Sequence, residues 1–287
     1  MKKHLIYFSI VTAAALMSAV VFTSCEDTDY PEPTPATGAS STNLARFLFA
    51  NAAPDAPTLN FLIENNIAGQ SLSAGQAATA YVTSQVGAVQ LKAQAASGNI
   101  GGVLSTSAII FRAGATNQTN FAAAVGTAYT VFAVDTLNRP RPAGVTATNP
   151  GGPQLVVATD PLTQTLTAGS GGVRFFHFAP DLGLLVSSTA ITPTVASVRL
   201  TPQTSGTAVA TPITVLGRAY RAVTPNAFAS IPAGTYRVDV FSGATIAATA
   251  TPVASSTVTV EASKLYTVYA QGLARRRTLS VGRIQHN

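Results

Sequence analysis

Apolar and polar residues alternate in short runs along most of this 287-residue chain. From Gly234 to Gly243, "GTYRVDVFSG" sets Tyr236, Val238 and Val240 against Arg237, Asp239 and Phe241. That is the period of two expected of a strand with one face on a core. Similar runs recur as "VQLKAQA", "YTVFAV", "VRFF", "ASVRLTP", "LYTVYA" and "LSVGRI", separated by Gly, Pro and Asn. Helical periodicity over eleven or more residues is hard to find beyond the first 24. Many short strands with turn punctuation predict an all-β, antiparallel sandwich or barrel.

The N-terminus breaks the pattern. Met1-Lys2-Lys3-His4 is followed by an uncharged, apolar stretch from Leu5 to Ser24, the layout of a secretory signal. The small residues Thr23 and Ser24 then precede Cys25, the chain's single cysteine. An unpaired cysteine in an exported protein asks for a reason, and the "FTSC" context resembles the lipobox of bacterial lipoproteins. The resemblance implies cleavage after residue 24 and acylation of Cys25. After it, Glu26, Asp27, Asp29 and Glu32 interleave with Pro31, Pro33 and Pro35; such a stretch buries no apolar surface and predicts a solvated tether over residues 25–43. An acidic patch at this place is similar to the surface-export signal of Bacteroidetes lipoproteins, which implies an outer-membrane, lipid-anchored protein facing the cell exterior.

Beyond residue 43 the chain repeats itself. "LFANAAPD" (Leu48 to Asp55) aligns with "RFFHFAPD" (Arg174 to Asp181), and "YTVFA" (Tyr129 to Ala133) with "YTVYA" (Tyr266 to Ala270). Two landmarks in the same order predict two β domains, 44–160 and 173–287, joined by a linker over 161–172 whose "GSGG" (Gly169 to Gly172) reads as a hinge. A strand ending in Ala-Pro-Asp-Ala-Pro (Ala53 to Pro57), a Pro-Ala-Gly-Thr-Tyr-x-Val-x-Val strand (Pro232 to Val240) and a closing Tyr-Thr-Val strand together resemble domain of unknown function 4397. The first copy matches less well, because "VGAVQLKAQAASG" lacks the Gly-Thr-Tyr signature. The resemblance implies two tandem immunoglobulin-like β-sandwiches on a bacterial surface protein, with no activity and no catalytic residue to carry over.

Charge and chemistry change this picture little. The formal net charge is +6 and four of the 11 acidic residues lie in the tether, so the body is the basic part. It could be drawn to anionic glycans or headgroups; with only 10% charged residues, no nucleic-acid partner is expected. Asp55 and Asp181 repeat after proline, which invites a calcium reading, but calcium wants six to eight oxygens, and Pro-Asp is good turn chemistry. His177 has Asn51 as its counterpart; both side chains donate and accept, so a structural hydrogen bond to the adjacent turn is expected of His177 rather than base catalysis. Arg275, Arg276 and Arg277 form the only basic run, read as a solvated hairpin turn or as a grip on a glycan carboxylate or phosphate. Asp135-Thr136-Leu137 is similar to the O-glycan acceptor pattern of exported Bacteroidetes proteins, with Thr136 as acceptor. No zinc spacing, nucleophile elbow or phosphate loop is present, so no enzyme, metal or cofactor is expected. The expected role is a non-enzymatic envelope lipoprotein for adhesion, display or assembly, anchored to the membrane and meeting another envelope protein; the alternative is a glycan-binding component of a nutrient-uptake system.

Overall fold

The computed structural model describes residues 43–101, 108–112, 119–140, 151–182, 195–203, 212–274 and 276–286. The signal, the tether with Cys25, and Arg275 lie outside them. The first half carries β1 (Ala45–Asn51), β2 (Leu59–Ile63), β3 (Asn66–Ile67), β4 (Val82–Ser84), β5 (Gly87–Ala95), β6 (Ala108–Ile110), β7 (Asn120–Ala123), β8 (Ala128–Val134) and β9 (Gln154–Asp160). The second carries β10 (Ser170–His177), β11 (Ala196–Pro202), β12 (Ile213–Arg218), β13 (Ala229–Pro232), β14 (Gly234–Ser242), β15 (Ala254–Val260), β16 (Leu265–Gln271) and β17 (Ser280–Gln285).

These strands build two sandwiches, so the all-β, two-sandwich reading stands. Each half pairs an inner sheet, β4-β1-β8-β9 or β13-β10-β16-β17, with an outer one, β3-β2-β5-β6 (β7 also on β5) or β12-β11-β14-β15. Between the sheets of the first half lie Phe47, Phe49, Phe61, Leu91, Tyr129 and Val131; between those of the second lie Phe175, Val198, Tyr236, Val238, Val240 and Val268. Tyr236, Val238 and Val240 thus point inward on β14, as their alternation requires.

One pairing in each half departs from the expected antiparallel pattern. β1 runs parallel to β8, with Asn51 opposite Ala133, and β10 parallel to β16, with His177 opposite Ala270. β8, β10 and β16 are buried at every position, and that is the reason. Parallel pairs are found where both faces are covered, and their strands read as continuous apolar runs. "AYTVFAV" and "SGGVRFFH" are such runs.

The second cover of each inner sheet is the other inner sheet. Leu48, Ala50, Ala52, Phe132, Val134 and Ala158 of the first half form one buried cluster with Phe176, Phe178, Tyr269 and Ile284 of the second. Small residues face large ones: where the second half has Phe176, Phe178 and Ile284, the matching positions of the first hold Ala50, Ala52 and Ala158. Phe132 touches three rings, those of Phe176, Phe178 and Tyr269, at 6.0, 4.7 and 5.5 Å. The molecule is therefore layered outer, inner, inner, outer, with three apolar seams.

The segment 161–172, expected as a linker, is held along the second half. Phe228 N–H donates to Gln164 Oε1 at 2.9 Å, and Thr167 N–H to Ser230 Oγ at 2.9 Å. Its last residues do not form a hinge: Ser170, Gly171 and Gly172 open β10 and are buried. A Cβ on Gly172 would overlap the side chains of Leu265 and Phe228, so these glycines serve close approach rather than freedom.

Candidate functional site

The densest polar chemistry lies on the seam between the inner sheets. Arg174, on β10, is buried with its guanidinium between the rings of Phe176 and Phe228, at 4.7 and 4.5 Å. Every arm of it is used. Nη2 donates to Asp160 Oδ1, Nη1 to the carbonyls of Thr159 and Asn226 at 2.8 and 3.1 Å, and Nε to Thr267 Oγ1 at 2.7 Å. Thr267 Oγ1–H donates to His286 Nε2 at 2.6 Å; His286 Nδ1–H donates to Tyr81 Oη at 2.6 Å; Tyr81 donates to Asp160 Oδ2 at 2.8 Å. Thr130 adds a second donor to that oxygen at 2.7 Å. Two chains of donors thus leave Arg174 and both end on Asp160, and only the Nδ1–H tautomer of neutral His286 closes the circuit. Tyr81, Thr130 and Asp160 come from one half, Arg174, Thr267 and His286 from the other.

Burial of these groups is tolerable because each is paired; a buried ion left alone costs several kcal/mol. Desolvation, with Arg174 nearby and against the pull of Asp160, holds His286 down to about 4. Burial and the carboxylate of Asp160 push the Tyr81 hydroxyl well up, keeping it a donor. His286 spends both nitrogens on protein partners and Tyr81 spends its proton on Asp160, so the circuit acts as a clamp across the seam rather than as an acid–base pair offered to a substrate.

The clamp has internal symmetry. Thr130 and Thr267 sit one residue after Tyr129 and Tyr266 in the two Tyr-Thr-Val strands. Asp160 pairs with Ala128 in register, and His286 donates its N–H to Leu265 at 2.9 Å; the two residues close their halves at matching places. Tyr81 and Phe228 likewise precede β4 and β13. Equivalent residues meet each other across the seam, the mark of an isologous, two-fold contact.

A second polar cluster flanks the seam. Asp135 follows β8 with a left-handed backbone (φ 78°), and Arg221, also left-handed (φ 62°), reaches it from the second half at 3.5 Å. Arg139 Nε pairs with the same carboxylate oxygen at 2.8 Å, while Arg221 Nη1 donates to Gln154 Oε1 at 2.7 Å. Burial, against the pull of both arginines, raises the Asp135 carboxyl above the usual range.

The residues singled out from sequence fall elsewhere. Asp55 Oδ1 accepts from the N–H of Leu137 at 2.9 Å, and Asp181 Oδ1 from that of Ala274 at 2.7 Å. Each carboxylate thus ties its Ala-Pro-Asp turn to the loop after the parallel partner strand. His177 Nδ1 accepts from Ala179 N–H at 3.4 Å, as Asn51 Oδ1 does from Ala53 N–H at 3.3 Å. Thr136 is half-buried, its N–H on Asp135 Oδ1 at 3.1 Å. Arg276 and Arg277 are exposed on the β16–β17 turn, their N–H groups on the carbonyls of Leu273 and Ala274 at 3.3 and 3.0 Å. Among the described residues no group of three or more His, Cys, Asp and Glu is placed to hold a metal.

Tyr81, Asp160, Arg174, Arg221 and His286 escaped sequence reasoning. Tyr81 and His286 are 205 residues apart, and no local spacing links them. The signal that was present is positional: Asp160 ends "QLVVATD" and His286 ends "LSVGRIQH", the apolar segments that close the two halves.

No curated protein matches this chain. A domain described as Domain of unknown function (DUF4397) is found at residues 45–186, over the first sandwich, the segment that follows it and all of β10.

Proposed function

We propose that this protein is an exported lipoprotein whose folded part, residues 43–286, is one stiff display block held off the outer membrane by a lipidated Cys25 and a solvated acidic tether, facing the cell exterior, with its second half a further copy of the family domain. The observation that carries this is the seam. Two sandwiches joined by a large apolar contact and a saturated hydrogen-bond circuit move as one body, and default domain motion requires a smaller, wetter interface. A rigid body held off the membrane suits adhesion, spacing or assembly with another envelope protein. The isolation of Cys25 between an apolar run and an acidic one supports the anchor; several acyl chains, at roughly 0.8 kcal/mol per buried methylene, make release negligible. Cys25→Ser should abolish lipid labelling and detergent-phase partitioning, and protease added to intact cells should remove the wild-type body. Unchanged partitioning contradicts the anchor, and full protection in intact cells contradicts exterior display.

A second reading, a glycan-binding component of a surface uptake system, is favoured by one observation: the exposed Arg276 and Arg277 lie on the turn that borders a cleft between the halves. Retention of the full chain on an acidic polysaccharide tests it.

A further inference from the structure

Among the described residues, the exposed large apolar side chains are Ile67, Val86 and Val125, at 60, 37 and 58% of full exposure. All three gather at one end of the first sandwich. β1 starts there at Ala45, in register with Ser84 at the close of β4; β8 runs parallel to β1 and starts beside it; β5 starts at Gly87, in register with Ala123 at the close of β7. Val86 therefore sits on the β4–β5 turn, and Val125 on the β7–β8 turn next to it. Ile67 is joined to them by a groove of about 520 Å³ between β3 and β4, whose walls include Ile63, Ile67, Val82 and Gln85. The chain enters the fold at this same end: Leu44, one residue before β1, accepts at its carbonyl the N–H of Gly126, one residue after Val125, at 3.1 Å.

The second half shows that the fold does not need these groups. Gly87 and Gly234 open equivalent strands, so Ala233 stands for Val86. Ala262, four residues before Tyr266, stands for Val125, four before Tyr129. Thr214, in register with Arg199, stands for Ile67, in register with Leu62. All three counterparts are exposed, and none is large and apolar. The groove is closed there as well: Ile213, Val215 and Ile231 stand for Asn66, Ala68 and Ser84, and leave a gap of about 10 Å³. Three apolar groups gathered at one end of one half differ from the single exposed residues common on any surface, and mark a contact.

We propose that this end of the first sandwich rests on the lipid surface that holds Cys25, with Ile67, Val86 and Val125 reaching the boundary between headgroups and acyl chains; the inference rests on the lipoprotein reading above. Residues 25–43 span roughly 65 Å when fully extended and about 24 Å on average as a flexible coil. The end they join is thus the part of the block nearest the anchored leaflet. A protein partner fits less well, because protein interfaces are rich in aromatic residues, Met and Arg, and neither the groove nor the three side chains offer any. Glu64 is the one charged residue among the groove's walls, so apolar burial rather than charge carries the contact. The block then stands on its first half. What is held off the membrane is the opposite end of the strands, where Arg276 and Arg277 follow β16.

Liposomes of phosphatidylethanolamine and phosphatidylglycerol carrying the full-length acylated protein test this. The chain's one cysteine is Cys25, whose thiol the anchor occupies, so Val125→Cys takes an environment-sensitive dye at that position alone, and Ala262→Cys gives the matching probe in the second half. The Val125 probe should emit at shorter wavelength and be quenched by spin-labelled lipid at least about twofold more than the Ala262 probe, equally at low salt and at about 1 M NaCl. Ile67→Ser with Val86→Ser should bring its quenching down to the Ala262 level while the protein stays on the liposomes. Quenching equal at the two positions, or untouched by the double substitution, on protein that floats with the liposomes overturns the contact and leaves the anchor standing. Shielding that spin-labelled lipid does not quench and that grows with protein density means a protein partner, and also overturns it. Wild type that does not float with the liposomes removes the anchor reading and this inference with it.

Discussion

The hydroxyl of Tyr81 stands between His286 Nδ1 and Asp160 Oδ2, at 2.6 and 2.8 Å, and so joins the last strands of two sandwiches that share no sheet. Phe228 occupies the equivalent place in the other half, so a phenyl ring fits the local fold. Tyr81→Phe should cost about 1–3 kcal/mol in chemical denaturation, because it strips a donor from Asp160 and strands His286 Nδ1–H. Wild-type stability in that variant would show that the circuit holds nothing.

His286 also sets a pH dependence. It titrates at about 4 in the fold against 6.5 when free, so the unfolded chain binds the extra proton first. Stability should fall as pH drops from about 6.5 towards 4 and lose nothing more from this group below that, a total of about 3 kcal/mol. Asp135, raised by burial against the pull of its arginines, works in the opposite sense, adding stability as pH falls through its own folded value. Melting temperatures of wild type and His286→Gln between pH 7 and pH 5 separate the two: the slope should vanish in the variant, and a slope that persists contradicts the assignment.

Asp135 occupies a left-handed position that its counterpart fills with Gly272. An L-residue there costs roughly 1–2 kcal/mol, offset in Asp135 by its bonds to Arg139 and Arg221. Asp135→Ala keeps the backbone cost and loses the bonds, so it should be less stable than Asp135→Gly by about 1 kcal/mol. Equal stabilities would mean the bend is unstrained.

The repeated Ala-Pro-Asp carboxylates make a paired prediction. Asp55→Ala and Asp181→Ala should each free a loop N–H, that of Leu137 or Ala274, at about 1 kcal/mol. Hydrogen exchange of those two amides should quicken selectively. Exchange left as slow as in the wild type would show that the carboxylates do not protect these loops.

Much of the architecture was legible, because period-two runs and two copies of Ala-Pro-Asp and Tyr-Thr-Val are local patterns. Asn51 and His177 each accept from the N–H two residues on, a partner that their alignment in the sequence does not name. What escaped was everything that depends on the seam. "AYTVFAV" looks the same whether its second face meets solvent-covered loops or another sheet, and only the unbroken apolar run hinted that β8 is covered twice. The clamp was invisible for a different reason: Arg174, Tyr81 and His286 are each unremarkable in their own segments, and the circuit exists only once two sheets are placed face to face.

The seam fuses the two sandwiches into one cooperative body. Phe178, packed on Phe132 at 4.7 Å, belongs to the second half but supports both, and its truncation to Ala should cost about 3–5 kcal/mol. Native-state hydrogen exchange of β5 amides in the first outer sheet and β14 amides in the second reads the two halves separately. The most protected amides of β5 and β14 should open with the same free energy, and Phe178→Ala should lower both equally. A variant in which β14 loses protection while β5 keeps the wild-type value would show two independent domains and contradict it.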